Sequence, residues 1–251
     1  MIGQVEKYLL RRIQEDRAIH ITLIDICPHE KVNQQFASRV ALDAESSETT
    51  AIMVGGSTHV LTPHLDSVIK AVKKTVKIPV ILFPNNITGI SQYADAIWFM
   101  CLLNSSDPYF LTGVQALGAP VIKKFGLEPI PLGYIVIGTG GSVNVIGKVC
   151  PIPYNKPELA AAHALAAQYF GMRFVYLEAG SGVERPVPND MVRMVKEVID
   201  IPLIVGGGIR TGKQAKAIVN AGADIVVTST AADIFKVKDS VKELVEQIKI
   251  R

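Results

Sequence analysis

The sequence has few of the features that mark disulfide-rich, secreted or membrane-spanning proteins. Its 251 residues include only three cysteines, Cys27, Cys101 and Cys150, which are far apart and show no CxxC spacing. Three such cysteines cannot all pair, so the sequence predicts inert, mostly buried thiols in a reducing cytoplasm. No apolar stretch approaches the roughly 18 residues that cross a membrane, and the charged, amphipathic N-terminus is unlike a signal peptide.

An excess of one charge is also missing. The chain has 26 basic and 23 acidic side chains, a net charge of +3, and no basic run of five or more residues. This balance gives no reason to expect a nucleic-acid partner. Charged residues make up 20% of the chain, which is ordinary for a globular protein and excludes a disordered one.

What the sequence does contain is a series of short, continuous apolar runs rich in β-branched residues. Such runs suit strands that are buried on both faces, as in a parallel sheet. The eight predicted strands are residues 20–25, 51–56, 79–84, 96–100, 133–138, 174–180, 202–208 and 224–230.

Helical patterns lie between these runs. Thr62 is the expected N-cap of the second predicted helix, with Pro63 at its first position, and Thr211 begins a later helix. The helix after the third strand should be weak or irregular because its segment is short and contains Gly89. The predicted helices are residues 3–17, 62–76, 156–172, 188–200, 211–224 and 236–250.

Strands that alternate with helices in about 250 residues predict an α/β fold, a (βα)8 TIM barrel. We expect a single domain spanning residues 1–251, with an extra N-terminal helix before the first strand. A doubly wound open sheet is the alternative that this pattern leaves open.

Functional residues of a barrel lie at the C-terminal ends of its strands. After strand 7, Gly206, Gly207 and Gly208 leave the backbone bare, and Ser229 and Thr230 follow strand 8. Loops after these two strands commonly form a phosphate site. The alternative is that the glycines only permit tight turns. Because few charges occur at the strand ends, we expect neutral donors to make most of the contacts with phosphate.

Glu178 is the second candidate. It ends the sixth apolar run and precedes Gly180, Ser181 and Gly182, which expose further backbone donors. A carboxylate in a cleft can orient a substrate hydroxyl and accept its proton as a general base. A buried salt bridge is the alternative role for Glu178.

Asp25 is the third candidate, because it ends an otherwise apolar strand. Together with Ser57 across the barrel mouth, it offers oxygen ligands that suit Mg²⁺. The alternative role for Asp25 is to cap a turn. The five histidines show no metal-binding spacing, and we interpret them as structural or surface residues.

Aromatic residues concentrate around the fourth and fifth strands. They either fill the core or line an apolar groove that leads away from the barrel mouth. These residues are Trp98, Phe99, Tyr109, Phe110 and Tyr134.

Several motifs together resemble the geranylgeranylglyceryl phosphate synthase family, and the resemblance extends from about residue 18 to 235. The combination of YLEAGSG and VGGGIR is the most specific part. The matching segments are TLID at 22–25, VGGST at 54–58, FMCLLNSSDPYF at 99–110, YLEAGSG at 176–182, VGGGIR at 205–210 and ADIVVTST at 223–230.

The resemblance implies a prenyltransferase on a (βα)8 barrel. Such an enzyme joins the C3 hydroxyl of sn-glycerol 1-phosphate to geranylgeranyl diphosphate, releases diphosphate and requires Mg²⁺. Its product is an ether-lipid precursor of archaeal membranes. The family pattern assigns the metal to Asp25 and Ser57. It assigns glycerol phosphate binding to Tyr176, Leu177, Glu178, Ala179, Gly180, Ser181, Gly182, Gly207, Gly208, Ser229 and Thr230.

The chain departs from the family pattern after the first strand, where Asp25 is followed by a segment that reads as though two residues were inserted. Lys31 is only a candidate for binding the diphosphate there. Three alternatives stay open: a heptaprenylglyceryl phosphate synthase with a longer prenyl substrate, a phosphosugar isomerase or lyase, and a non-catalytic phosphate-binding or scaffold protein. A homo-oligomer and peripheral membrane contact are also expected.

Overall fold

Eight parallel strands form a closed barrel in which each strand pairs with its neighbours in chain order, from β1 through β8 and back to β1. The computed structural model describes residues 2–26, 32–58, 60–139, 141–229 and 237–249. The closed ring of eight strands confirms the predicted TIM barrel, and the alternative prediction of an open sheet is wrong. The strands are β1 Ile19–Asp25, β2 Ala51–Gly55, β3 Val80–Phe83, β4 Ala96–Leu102, β5 Glu128–Val136, β6 Phe174–Glu178, β7 Leu203–Gly206 and β8 Ile225–Ser229.

Helices follow most of the strands. After β3 there is only a short 3-10 helix, Ile87–Gly89, which agrees with the weak helix predicted there, and a π-helical turn, Tyr109–Gly113, leads into α4. The helices of the described residues are α1 Gln4–Asp16, α2 Gln34–Ser46, α3 Thr62–Thr75, α4 Val114–Phe125, α5 Ser142–Ile146, α6 Pro157–Tyr169, α7 Asn189–Val198, α8 Gly212–Asn220 and α9 Val237–Lys249.

Strand β5 begins at Glu128, five residues before its predicted start. This part of the strand was not predicted because it contains two prolines, Pro129 and Pro131, which are unusual within strands. They pair in register with Ile97 and Phe99 of β4, whereas pairing with β6 starts only at Leu132. The missing amide donors therefore lie where β5 has a partner on one side, which is where a sheet tolerates proline.

The start of α3 also differs from the expectation. The N-cap is Leu61, and Thr62 lies inside the first turn, where its hydroxyl donates to the Thr88 carbonyl at 3.0 Å. The capping prediction for Thr211 is confirmed. Its hydroxyl accepts from the Gln214 amide and the Gln214 side chain bonds back, which forms a capping box.

Side chains alternate between two core layers along each strand. In β6, Phe174 and Tyr176 belong to the core inside the barrel, while Val175 and Leu177 belong to the core between the barrel and its helices. This period of two determines which residues of a strand can reach the barrel mouth.

Helix α1 closes the N-terminal end of the barrel. Val5 and Leu9 are buried in the core inside the barrel, and the Glu128 carboxylate accepts from the Val5 and Glu6 amides, both at 2.8 Å. The buried Glu6 carboxylate pairs with Arg173. Any ligand must therefore enter from the opposite end, where the strands terminate at their carboxyl ends.

The thiols only partly match the expectation. Cys101 is partly buried, and burial raises its pKa to about 11, but Cys150 is exposed and is an exception to the mostly buried thiols that were predicted. Cys27 lies outside the described residues. Among the helices of the described segments, none is both long and apolar enough to span a bilayer.

A buried polar network surrounds His20 on the outer side of β1. Its Nδ1 lies 2.9 Å from the Thr49 hydroxyl, and its Nε2 lies 2.9 Å from the Thr228 hydroxyl. The Thr49 hydroxyl donates to the His20 carbonyl, so it accepts from Nδ1. Nε2 is then the acceptor, and Thr228 donates to it. Burial lowers the pKa of His20 to about 3.

This network predicts acid destabilisation through one residue. The unfolded histidine has a pKa of about 6.5, so protonation between that pH and pH 3 favours the unfolded chain. The unfolding free energy should fall by up to about 1.4 kcal/mol per pH unit below pH 6.5 through this group.

Urea unfolding between pH 7.5 and 4.5 should show a shallower pH dependence in His20→Gln than in the wild type. His163→Gln, at a histidine on α6, should match the wild type. Parallel wild-type and His20→Gln curves would contradict the assignment.

Candidate active site

The ends of β1, β2 and β3 lie side by side at the barrel mouth. Asp25 pairs in register with Gly55, and Gly55 pairs with Phe83. Ser57 follows two residues beyond Gly55, so Asp25 and Ser57 come from neighbouring strands. The expectation that they face each other across the barrel is wrong. Both residues line the same cavity, which is the requirement for a shared ligand.

Glu178 is a buried carboxylate at the C-terminal end of β6, and only 6% of its surface is exposed. Its Oε1 accepts from the Gly180 amide at 2.6 Å. The hydroxyls of Tyr134 and Tyr176 also donate to this carboxylate. No basic side chain pairs with Glu178 in the described part of the chain, so the alternative role as a salt bridge has no support there.

Three aromatic rings surround this carboxylate. The rings of Tyr176 and Phe83 are stacked with centroids 5.7 Å apart. Tyr134 lies edge-on to both, at 5.2 Å from Tyr176 and 5.5 Å from Phe83. A Cβ at Gly206 would overlap the Tyr176 hydroxyl, so glycine at this position leaves room for the tyrosine to reach Glu178.

Burial sets the protonation behaviour of this group of residues. Desolvation raises the pKa of Glu178, and the hydrogen bonds from Gly180, Tyr176 and Tyr134 oppose that rise. Burial also raises the pKa of both tyrosines well above the usual range, so they stay protonated as donors. A carboxylate whose pKa lies closer to neutrality is a stronger base.

A small cavity, with about 450 Å³ of empty space, lies beside Glu178 between the loops that follow β6, β7 and β8. Gly180, Gly182, Gly207 and Gly208 all have positive φ angles of 70° to 112°. The amides of Gly182, Gly207 and Gly208 donate to no acceptor in the segments that the structure describes. The small cavity therefore presents free backbone donors of the kind that bind anions.

Glycine is required at Gly207 for space as well as for its backbone conformation. A Cβ there would lie 2.5 Å from Glu178 Oε1 and 2.6 Å from the Gly180 amide nitrogen. The alternative reading, in which these glycines only permit turns, leaves this close approach to Glu178 unexplained.

Most of the predicted phosphate-binding residues line the small cavity. Ser181 and Ser229 lie on its edge, with their hydroxyl oxygens 3.5 Å apart. Leu177 and Ala179 differ, because their side chains pack in the outer core, so they can offer only main-chain groups. Thr230 lies outside the described residues.

An apolar groove, with about 1140 Å³ of empty space, runs from the barrel mouth past β4 to α4. Trp98, Phe99, Phe110 and Tyr134 line it, whereas the exposed Tyr109 does not. Trp98 is also fully buried against Phe174, so it serves both the core and the groove wall. The two alternatives for these aromatics thus apply together.

One wall of the groove is α5 with the segment that follows it. Side chains of the loop after β4 bind main-chain carbonyls of this segment. The Asn104 amide donates to Cys150 at 3.0 Å, the Ser105 hydroxyl to Gly147 at 2.6 Å, and the Ser106 hydroxyl to Lys148 at 2.8 Å.

The small cavity and the apolar groove meet at Leu23, Glu178 and Ser181, which line both. Glu178 therefore stands at the boundary between a polar site with free amides and a long apolar channel. Such a junction suits a reaction between a small charged molecule and a molecule with a long apolar chain.

The side-chain oxygens of Asp25 and Ser57 are ligands that suit a hard cation. A carboxylate and a hydroxyl are oxygen ligands, and Mg²⁺ typically takes one or two protein oxygens and fills its shell with water and phosphate. No group of three or more His, Cys, Asp or Glu residues that could hold a metal occurs in the described segments. A cation here would accordingly depend on substrate oxygens.

Arg210 lines the small cavity, although no role for it was predicted from the sequence. The signal that could have identified it is its position, two residues after the Gly206–Gly208 run at the end of β7. Neutral donors still form most of the lining, as expected for the phosphate site, and Arg210 adds one cation that was not expected.

Comparison with known proteins agrees with the family resemblance. The chain is 52% identical over 248 residues to geranylgeranylglyceryl phosphate synthase of Pyrococcus abyssi, which covers 99% of this chain and 97% of the relative. A crystal structure of (S)-3-O-geranylgeranylglyceryl phosphate synthase from Thermoplasma acidophilum, in complex with its substrate sn-glycerol-1-phosphate, superimposes with a TM-score of 0.92. It is 43% identical and covers 99% of both chains.

A second solved structure, GGGPS from Thermoplasma volcanium, has a TM-score of 0.90 and 40% identity over 96% of this chain and 97% of that chain. Residues 11–248 match the PcrB family. Since this match covers most of the chain, the protein belongs to the PcrB family.

Proposed function

We propose that the protein joins the C3 hydroxyl of sn-glycerol 1-phosphate to geranylgeranyl diphosphate, which forms an ether and releases diphosphate. The observation that carries this proposal is the position of Glu178, a buried carboxylate shared by the small cavity and the apolar groove. The high identity to geranylgeranylglyceryl phosphate synthases supports the same reaction.

The small cavity suits the glycerol phosphate. Free amides of Gly182, Gly207 and Gly208 can donate to phosphate oxygens, and the hydroxyls of Ser181 and Ser229 lie on the same rim. With the phosphate bound there, the glycerol hydroxyls point toward Glu178. The relative from Thermoplasma acidophilum has sn-glycerol-1-phosphate bound.

The apolar groove suits the prenyl chain. Its lining from β4 and α4 is mainly aliphatic and aromatic, and it includes Ile97, Phe99 and Ile122. Burial of an isoprenoid chain against these side chains supplies binding energy of about 25 cal/mol per Å² of apolar surface. The diphosphate end then lies at the barrel mouth, near Asp25 and Ser57.

The reaction needs one bond to break and one to form. The C1–O bond of the prenyl diphosphate breaks and its electron pair leaves with diphosphate, while the C3 oxygen of glycerol phosphate bonds to C1. The hydroxyl proton passes to Glu178. The aromatic rings of Tyr134 and Tyr176, which pack against each other, can help to stabilise positive charge that develops on the allylic carbon.

Asp25 and Ser57 are proposed to hold Mg²⁺. When bound, Mg²⁺ neutralises negative charge on the diphosphate leaving group. The residues of the chain supply the rest of the site: Asp25 provides a charged oxygen, Ser57 a neutral one, and both line the groove that holds the prenyl diphosphate.

The other reaction classes have less support. A Schiff-base lyase needs a lysine, and no lysine is among the described residues that line the two cavities. A scaffold protein gives no reason for a buried carboxylate with three donors. The relatives from Pyrococcus abyssi and Thermoplasma acidophilum are named geranylgeranylglyceryl phosphate synthases, which does not favour the heptaprenyl alternative.

Several expectations stay predictions. A homo-oligomer, peripheral membrane contact and a cytoplasmic location are among them. Lys31, the candidate for the diphosphate, lies outside the described residues.

The direct test is incubation of the purified protein with labelled sn-glycerol 1-phosphate and geranylgeranyl diphosphate, with and without Mg²⁺. We expect a labelled ether lipid that forms only with Mg²⁺, and faster turnover with the C20 donor than with a C35 donor. Absence of labelled lipid under both conditions would refute the proposal, and preference for C35 would point to the heptaprenyl reaction.

Glu178→Gln should reduce turnover by about 10²–10⁴-fold because the variant cannot accept the hydroxyl proton. In the wild type, kcat/KM should rise with pH through an acid limb that lies above the usual glutamate pKa, since burial raises the pKa of Glu178. Glu184→Gln, at an exposed carboxylate in the same loop, is the matched control. Near-wild-type turnover of Glu178→Gln with an intact fold would rule out the base role.

Asp25→Asn should weaken divalent-cation binding by at least about tenfold because it removes the charged oxygen from the site. Mn²⁺ binding in the presence of inorganic diphosphate, followed by electron paramagnetic resonance, measures this without turnover. Asp239→Asn, at an exposed carboxylate on α9, should bind Mn²⁺ as the wild type does. Equal affinities in all three proteins would show that Asp25 is not a ligand.

A further inference from the structure

Arg210 is the one basic side chain among the described residues that line the small cavity or the apolar groove. It lies on the loop after β7, directly after Gly207, Gly208 and Ile209. Both proposed substrates carry phosphate groups, so the placement of a single cation beside the free amides needs an explanation.

Two sets of hydrogen bonds determine where the guanidinium lies. The Arg210 amide donates to the Gln214 side chain at 2.9 Å, which attaches its backbone to the first turn of α8. At the other end, Nη2 donates to the carbonyls of Gly182 at 3.1 Å and Val183 at 3.3 Å. The side chain therefore connects the loop after β7 with the loop after β6, across the rim of the small cavity.

These bonds leave part of the guanidinium unused. An arginine has five N–H donors in a planar fork, and the two donors of Nη2 are directed at the two carbonyls. Neither Nε nor Nη1 bonds to any acceptor in the segments that the structure describes. Because Nη2 holds the guanidinium in place, the N–H groups of Nε and Nη1 remain available to bind a second acceptor from a ligand.

A dianionic ligand in the small cavity would meet the negative charge of Glu178, which a nearby cation can offset. A phosphomonoester carries about −1.5 to −2 charges near pH 7. The buried Glu178 carboxylate lies in the same cavity, and the remaining lining contributes only neutral donors. The positively charged Arg210 guanidinium can offset this repulsion.

We propose that Arg210 is a specificity-determining residue that selects a dianionic phosphomonoester for the small cavity. It does so by holding the loop with Gly182 in place and by directing its free N–H groups at the phosphate oxygens. This inference rests on the proposed function for the identity of the ligand, but the anion site it describes can be tested without the prenyl substrate.

The test measures binding of inorganic phosphate and of sn-glycerol 1-phosphate by calorimetry in the absence of prenyl diphosphate. We expect Arg210→Gln to weaken both by about 10- to 100-fold, the range for loss of charged hydrogen bonds. Arg210→Lys should give an intermediate loss because lysine keeps the charge but lacks the planar fork.

The matched control is Arg185→Gln, which removes one positive charge from the neighbouring loop. The Arg185 guanidinium lies 4.7 Å from the Tyr154 ring and does not line the small cavity. This variant should bind both ligands within about twofold of the wild type, since charges outside the cavity are screened by solvent.

A pH series separates recognition of the phosphate from a loss of fold. Wild-type affinity should rise between pH 5 and 7.5, as the ligand loses its second proton near a pKa of about 6. Arg210→Gln should show a flatter rise. In turnover assays the variant should raise KM for glycerol phosphate and leave KM for the prenyl donor unchanged.

Two results would overturn the inference. One is equal phosphate affinity in Arg210→Gln and the wild type, and the other is an equal loss of phosphate affinity in Arg210→Gln and Arg185→Gln.

Thermal unfolding of each variant verifies the fold. If Arg210→Gln does not fold, the phosphate affinity of Arg210→Lys tests the inference instead. Absence of labelled lipid from the wild type, with phosphate binding that still depends on Arg210, would refute the proposed function and leave the anion site standing.

Discussion

The burial of the Glu178 carboxylate is the constraint on which the rest of the site depends. A carboxylate removed from water is costly unless donors satisfy it. Here the Gly180 amide and the hydroxyls of Tyr134 and Tyr176 do so. These contacts keep the group ionisable while burial raises its pKa, a combination that suits a base.

The same carboxylate determines which residues its neighbours can be. Gly207 must lack a side chain because a Cβ would press on Glu178 Oε1, and Gly206 must lack one to leave room for the Tyr176 hydroxyl. The glycines at the end of β7 thus serve two purposes. They admit an anion to the backbone on one side, and they accommodate the buried acid and its tyrosine on the other.

The period of two along β6 gives this arrangement its geometry. Tyr176 and Glu178 point into the barrel mouth, while Leu177 and Ala179 fill the layer beneath the helices. Helix α1 closes the far end of the barrel with Val5 and Leu9. The functional groups that the structure describes therefore lie at the open end of the barrel, and Glu178 lies where the loops after β6, β7 and β8 converge.

Much of this was predictable from the sequence because the strands are continuous apolar runs that end in distinctive residues. Asp25, Glu178 and the Gly206–Gly208 run were identified by position alone. Other features depend on tertiary structure. The first part of β5 contains Pro129 and Pro131, which are tolerated only because β6 does not yet pair there.

Helices α2 and α4 were not predicted, although α4 forms one side of the apolar groove. Arg210 carries no local signal beyond its place after three glycines. Its relation to Gly182 and Val183 exists only once the loops of β6 and β7 are brought together. The same holds for Asp25 and Ser57, whose relative placement follows from strand register and not from their spacing in the chain.

The wall formed by α5 and the following segment is attached to the loop after β4 through main-chain carbonyls, which accept from Asn104, Ser105 and Ser106. Such attachment does not depend on which side chains the segment carries. Val143 and Ile146, which line the groove, can therefore be replaced over evolutionary time without loosening the wall. A barrel built in this way can change the shape of its lipid channel by small steps, while the acid and the anion site stay as they are.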